Sequence, residues 1–402
     1  MNRLDDILRR YTIQGDDAKG KLTGASFVVT NKDGIIYTGS SGRLGLDSKS
    51  PPWTDKTLTW TASLTKFATT ISVMQLVEQG KMDLDADVRP VLPELREAKV
   101  LREFDDDDNP VYEENTRPIT LRQLLTHTSG FSYEFADPVL LKWSSTAPNR
   151  NISRIQWSKL EITTPLRFRP GESWAYGVGL DWAAQVLEKV TGKSLGAYMR
   201  ENIFDKLGMM DTGFWLERLP QTAPRTAENV QRTKEGGLKN AYWPTPEKHE
   251  IESGGAGLFT TASDYACLLR GFLQGKLVTE RTMKEMRTPQ LSGAPAEDLQ
   301  AIAFHPLIHN TLAPEFTKQQ KINHGLGGML NVGDVPGKRK DGSIAWSGIL
   351  NSRWWADPKT GIAAVLIVNV RPQGDSVAAK LYDELEFAVY GDLLGEVSRS
   401  RL

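Results

Sequence analysis

Ser63 and Lys66 stand three residues apart in the stretch WTASLTKFATTISVMQLVEQG, residues 60–80. On a helix that spacing puts both side chains on one face. A serine oxygen at a helix N-terminus feels the positive partial charge of unpaired amides, which favours a developing alkoxide or oxyanion. A lysine beside it adds a proton acceptor or a fixed positive charge. The bland reading is a capped helix with an unrelated lysine, because S-x-x-K arises often by chance. No other serine in the chain has a lysine three residues on.

Other chemistry is poorly represented. The one G-x-S-x-G match, GKSLG at 192–196, follows a helical run where the elbow needs a strand, so an α/β-hydrolase elbow has no candidate. His305 and His309 are four apart in HPLIH, but no glutamate follows the first and Pro306 spoils the helix. His127, in LLTHTSG, reads as a structural hydrogen-bonding residue before a turn. The run Asp105–Asp108 is followed by Asn109 and Pro110 where a calcium loop needs glycine, which makes it a solvated loop. Gly254, Gly255 and Gly257 do not complete a dinucleotide fingerprint. The single cysteine, Cys267, excludes an internal disulfide and reads as a small buried residue. No metal or other cofactor is expected.

The elements that must hold Ser63 and Lys66 follow from periodicity. Leu64, Phe67, Ala68, Ile71 and Met74 recur at helical spacing and Gly80 supplies a stop, which predicts an amphipathic helix starting near Ser63. Residues 24–43 read as two strands around a turn at Asn31–Gly34. SIAWSGIL (343–350), the stretch at Trp354 and Trp355, and IAAVLIVNV (362–370) read as further strands, and a helix follows from about residue 375 to 394. The sequence therefore predicts an α+β protein: an α/β lobe with a central antiparallel sheet, from 1–59 and 291–402, and a mainly helical insertion, 60–290, with a site at the junction.

At 402 residues, with a net charge of −1, the chain has room for a large core and no long-range field to recruit nucleic acid or an anionic membrane. The first twenty residues lack a signal-peptide apolar core, and the run at 362–370 is too short to span a bilayer. The expectation is a soluble, cytoplasmic protein.

Five segments carry a resemblance. TASLTK (61–66), LRQLLTHTSGFSYEF (121–135), RPGESWAYGVGLDWAAQVLEKVTG (169–192), SGGAGLFTTASDYACLL (253–269) and WSGILNSRWWADPKTG (346–361) occur in the order typical of the serine β-lactamase and penicillin-binding-protein superfamily. The chain is most similar to the branch holding family VIII carboxylesterases and the lovastatin-type side-chain acyltransferases. The resemblance implies a β-lactamase/transpeptidase-like fold, with Ser63 as nucleophile, Lys66 as its helical partner and Tyr176 as general base and later acid. It implies backbone amides of Ser63 and Ile349 in an oxyanion hole. Trp346, Ser347 and Gly348 stand where many relatives have K-T-G, with Gly348 expected to let substrate approach the backbone.

Two departures bear on substrate. Trp346 replaces a cation, and Val178 stands where relatives often place asparagine. Both remove polar handles for β-lactams and peptides, which favours ester or thioester donors and an alcohol acceptor, such as a secondary metabolite. Tyr133 and Trp354 are expected as further substrate contacts, with Trp60 and Trp174 beside the motifs. The implied activity is serine acyl transfer or transesterification, with ester hydrolysis as the alternative and β-lactam hydrolysis less favoured. An acyl carrier protein as vehicle for the donor is left open, as is a non-catalytic binding descendant. A free tyrosine titrates near ~10, so a phenol serving as base near neutrality needs its charged form favoured by roughly 4 kcal/mol. A neighbouring ammonium can supply that, or the lysine can itself be the neutral base.

Overall fold

The computed structural model describes residues 3–148, 150, 155–242 and 245–395. The expected lobe's extreme ends, 1–2 and 396–402, lie outside the described residues.

The first hairpin forms where its turn residues put it. Strand β1 (Gly24–Asn31) returns as β2 (Ile35–Gly42), and the Asn31 side chain accepts the amides of Asp33 at 2.8 Å and Gly34 at 2.9 Å, an Asx turn. From the other end of the chain come β3 (Lys321–His324), β4 (Met329–Val332), β5 (Ile344–Ser347), β6 (Arg353–Asp357) and β7 (Ile362–Val368). These seven form one antiparallel sheet in the order β2-β1-β7-β6-β5-β4-β3.

Strand β7 is apolar throughout because both its faces are covered. Ala363, Val365 and Ile367 join the larger core, while Ala364, Leu366 and Val368 join a second core beneath α1 (Arg3–Tyr11) and α5 (Ser376–Ala388). Helix α4 (Ala262–Leu273) packs on the other face of the sheet, against β1 and β7. The Ser63 region lies in the larger core: a 3₁₀ turn, Ala62–Leu64, runs straight into α2 (Thr65–Glu78), against which α3 (Gly179–Thr191) packs.

One expectation needs correction. Helix α2 is not amphipathic but buried along Thr65–Leu76. Its threonines and serine resemble a solvent face in sequence, yet their hydroxyls find carbonyl acceptors inside the protein. Thr69 Oγ1 reaches the Gly254 carbonyl at 2.7 Å, and Thr70 and Ser72 bond back to Lys66 at 2.8 Å and Ala68 at 2.9 Å. A helix surrounded on every side places its first turn with little freedom. No helix among the described residues is long and apolar enough to cross a membrane.

The second core contains an ionic cluster that anchors the sheet to α5. Arg339 and Glu386 are both fully buried and bond bidentately, at 2.7 and 3.0 Å. Arg353 extends the cluster to Glu315 at 3.5 Å and, through Nη2, holds the carbonyls of Asn310 and Thr311 at 2.9 Å each. Removing one partner leaves a buried charge uncompensated. Glu386→Ala is therefore expected to lower stability by about 3–5 kcal/mol. The Arg339→Met/Glu386→Leu double variant is expected to cost much less, and urea unfolding midpoints of the three proteins check this.

Candidate active site

Ser63 is set in place by the strand before it. Thr59–Trp60 pairs with Phe259–Thr260, the Thr61 amide donates to the Leu258 carbonyl at 3.0 Å, and Thr65 Oγ1 bridges the Ala62 carbonyl at 2.6 Å and the Leu258 amide at 3.0 Å. Between these ties Ala62 is held at φ +48°, in the left-handed region that costs a non-glycine residue about 1–3 kcal/mol. The strain turns Ser63 out of the strand direction at the head of α2.

Three groups meet at Ser63. The Tyr176 hydroxyl is hydrogen-bonded to Ser63 Oγ at 2.7 Å, and Lys66 Nζ donates to the same oxygen at 3.2 Å. Lys66 Nζ also donates to Tyr133 Oη at 3.2 Å and to the Gly255 carbonyl at 2.7 Å. Three acceptors match the three N–H bonds of an ammonium. The ammonium lies 4.7 Å from the centre of the Tyr176 ring and 5.5 Å from that of Tyr133. The two tyrosines differ in role by position, since Tyr176 bonds the serine and Tyr133 the lysine. Burial holds the Tyr133 hydroxyl well above the usual phenol range, with Tyr176 and Asp181 adding to it, so Tyr133 stays a neutral phenol.

Behind Tyr176 is an aromatic wall. His127 lies 4.8 Å from the Tyr176 ring, edge to face, and its Nδ1 accepts the Gly177 amide at 3.4 Å. Trp346 points its indole N–H at Tyr176 Oη from 3.4 Å, and His324 packs 5.4 Å from Trp346. Burial first, then His324 and Lys66, push His127 well below the usual imidazole range, and burial brings His324 down to about 4. Both histidines are neutral near pH 7.

The segment after β5 lies on the other side of Ser63. Ile349 lines the cavity with Ser63, and its amide has no acceptor among the described residues. Three expectations for this segment change. Gly348 does not face the cavity: a Cβ there would sit 2.5 Å from the Thr61 carbonyl, so glycine is needed to bring this segment against the chain leading to Ser63. Ser347 is buried, and its hydroxyl donates to the Thr311 carbonyl at 3.2 Å, so it is not presented to a substrate. Trp354 is a core residue, fully buried on β6 with its ring 4.2 Å from Phe67, because β6 is covered on both faces. Trp346 supports Tyr176 and is absent from the cavity wall, and Trp174 is buried behind His127. Tyr133 and Trp60 do line the cavity.

That cavity has a volume of about 260 Å³ and is mostly apolar, walled by Trp60, Phe135, Ile155, Trp157, Leu160 and Val178 among others. Sequence reasoning missed several of its parts. Gly255, whose carbonyl holds Lys66, sits in a turn that Asp181 fixes: Asp181 Oδ1 accepts Ser253 Oγ at 2.6 Å and the Gly255 amide at 3.0 Å. The signal was the Gly254–Gly255 pair, where a Cβ would meet Ala184 at 2.6 Å and Asp181 at 2.5 Å respectively. Arg150, Trp157 and Glu161 come from a stretch with no pattern to mark it.

A serine hydroxyl flanked by a phenol and an ammonium, beside a free strand-end amide and an apolar cavity, on an antiparallel sheet with a helical insertion, is the arrangement of a serine acyltransferase or esterase. Such enzymes act on small-molecule acyl donors and acceptors. The chain belongs to the beta-lactamase family, whose sequence profile matches residues 9–388. It is 34% identical to the lovastatin esterase of Penicillium rubens, over 94% of this chain and 97% of that one. It is 32% identical to the monacolin J acid methylbutanoyltransferase of Aspergillus terreus, over 82% of this chain and 81% of the relative. The structure of unliganded simvastatin synthase (LovD) from Aspergillus terreus superposes with a TM-score of 0.87 at 29% identity, covering 96% of this chain and 97% of that one.

The close contact at Gly348 makes the distance between Ile349 and Ser63 sensitive to a single methyl group. Gly348→Ala must push the Ile349 segment away from Ser63, and a displacement near 1 Å can cost about 100-fold in rate. Steady-state hydrolysis of an activated ester is expected to show a loss of roughly that size in kcat, with cooperative thermal unfolding retained.

Proposed function

We propose that the protein is a serine acyltransferase of secondary metabolism: it takes an acyl group from an ester or thioester donor onto Ser63 and passes it to the hydroxyl of a second small molecule. The observation that supports this best is the convergence on one oxygen, with Tyr176 Oη at 2.7 Å and Lys66 Nζ at 3.2 Å from Ser63 Oγ.

In this reading Tyr176 is the base and Lys66 the group that holds the reacting oxygen in place, because all three lysine donors are already engaged. Tyr176 takes the Ser63 proton as Oγ attacks the donor carbonyl. The amides of Ser63 and Ile349 stabilise the tetrahedral oxyanion. Its collapse breaks the bond to the leaving alkoxide or thiolate, which takes the proton from Tyr176 and leaves an acyl-serine. The acceptor alcohol then gives its proton to Tyr176, attacks the acyl carbon and departs as the new ester, while Ser63 recovers the proton. The likeness to both an esterase and a methylbutanoyltransferase supports small acyl donors and a hydroxylated acceptor.

Hydrolysis, with water as acceptor, is the second reading, and the 34% identity to a lovastatin esterase supports it. Trp346 in place of a cation speaks against β-lactam turnover.

Intact-mass spectrometry after mixing with a short-chain thioester, free or loaded on an acyl carrier protein, is expected to show one added acyl group. Ser63→Ala should abolish the adduct, and Tyr176→Phe should slow its formation by about 10²–10⁴-fold. An added alcohol acceptor should shorten the adduct's lifetime and appear as ester product. An adduct that decays only to free acid, whatever alcohol is present, decides for the esterase.

A further inference from the structure

The cavity beside Ser63 is apolar over most of its wall, yet Glu161 and Asp181 also line it. A plain hydrocarbon acyl chain satisfies neither carboxyl, and leaving them dry against it is costly.

Asp181 is only 4% exposed. Its Oδ1 accepts Ser253 Oγ and the Gly255 amide, its own backbone amide also holds the carboxyl, and no other residue among those described donates to Oδ2. Glu161 is arranged in the same way. Its Oε2 accepts the backbone amides of Gln156 at 3.1 Å and Trp157 at 2.5 Å, which fixes the carboxyl, and Oε1 is left without a partner among the described residues. Arg150, also on the cavity wall, does not neutralise either group. Its guanidinium pairs with Glu134 and donates to the carbonyls of Glu161 at 2.9 Å and Thr163 at 3.0 Å. Burial lifts Glu161 to about 7, Asp181 and Glu134 push it further in the same direction, and burial also raises Asp181.

Two oriented acceptors thus face a mostly apolar chamber, and no other residue's side chain among those described donates to their outward oxygens. We propose that the acyl group this enzyme carries bears a hydrogen-bond-donating substituent, a hydroxyl or a protonated amine, which Glu161 and Asp181 receive inside the cavity. The substituent fills the free lone pairs while the carbon chain takes the surfaces of Trp60, Ile155, Trp157, Leu160 and Ile251. The inference rests on the reading that Ser63 holds the acyl group beside this cavity.

The test uses N-acetylcysteamine thioesters of medium-chain acids in matched sets: unsubstituted, hydroxylated and aminated, with the substituent at the third carbon or at the chain end. Acylation is followed by intact mass for the full-length protein. At one substituent position or more, the wild type is expected to prefer the hydroxyl or amine form over the unsubstituted chain by roughly tenfold or more in kcat/KM. The hydroxyl and amine arms tell which donor is used. Glu161→Gln keeps an acceptor for the Gln156 and Trp157 amides but can turn an N–H toward the cavity, so the preference is expected to fall by about tenfold. Glu161→Leu is expected to reverse it. Equal or faster acylation by the unsubstituted chain at every position overturns the proposal, as does a preference unchanged in Glu161→Gln. Acyl-serine that forms without preference defeats this inference alone. No acyl-serine in any arm defeats the underlying acyl-enzyme reading as well.

Discussion

The site depends on one buried ammonium. Lys66 is 2% exposed on a helix surrounded by apolar packing, and a charge there is tolerable only if all its donors are met. Each acceptor comes from a different part of the chain: Ser63 from the turn before α2, Tyr133 from the loop after residue 130, Gly255 from the turn before Phe259–Thr260. Satisfying the lysine therefore fixes three segments relative to one another. Asp181 completes the arrangement by holding the Gly255 turn, and Lys66 in return offsets part of the burial that raises the Asp181 carboxyl.

With the lysine fixed, an uncharged residue at Trp346 has a clear electrostatic consequence. The groups behind Tyr176 are Trp346, His127 and His324, and both histidines are kept neutral by burial. Lys66 is then the positive charge placed over the Tyr176 ring, and among these groups no second one competes for the phenol or attracts an anionic substrate group. The indole keeps one polar contact, its N–H toward Tyr176 Oη, and otherwise presents aromatic surface. A site built this way holds its charge for the reacting oxygen and leaves substrate binding to apolar contact and a few directed acceptors.

Much of this was legible in the sequence where periodicity or spacing has a local cause. The hairpin around Asn31 and the strand at 362–368 were readable because an Asx turn and a doubly buried strand leave short-range signatures. Ser63 and Lys66 stood out because one helical turn is a local relation. Tyr176 had no local mark and came from the resemblance alone. The errors share a reason. Trp354 and the polar face of α2 were misplaced because sequence reports residue type but not what lies on the far side of an element, and here both were covered. Gly348 is expected from the resemblance to admit substrate to the backbone, but the group that comes close is the protein's own Thr61 carbonyl. Arg150, Trp157 and Glu161 could not be seen, since an irregular stretch acquires meaning only when it folds over a cavity.

In the proposed mechanism, whether such a site transfers or hydrolyses turns on what can stand beside Tyr176 after the acyl-serine forms. Water and an alcohol make the same proton demand on the phenol, so the base does not discriminate between them. Discrimination falls to occupancy: an acceptor that buries apolar surface near Phe135, which is 72% exposed and stacked 5.1 Å from Tyr133, displaces solvent from the approach to Ser63. An amphipathic acceptor would cover the outer face that this ring now presents to water. On this view the transferase is an esterase whose water has been excluded by its second substrate, and the balance between the two activities is set at the rim of the cavity and not at the Ser63–Lys66–Tyr176 centre.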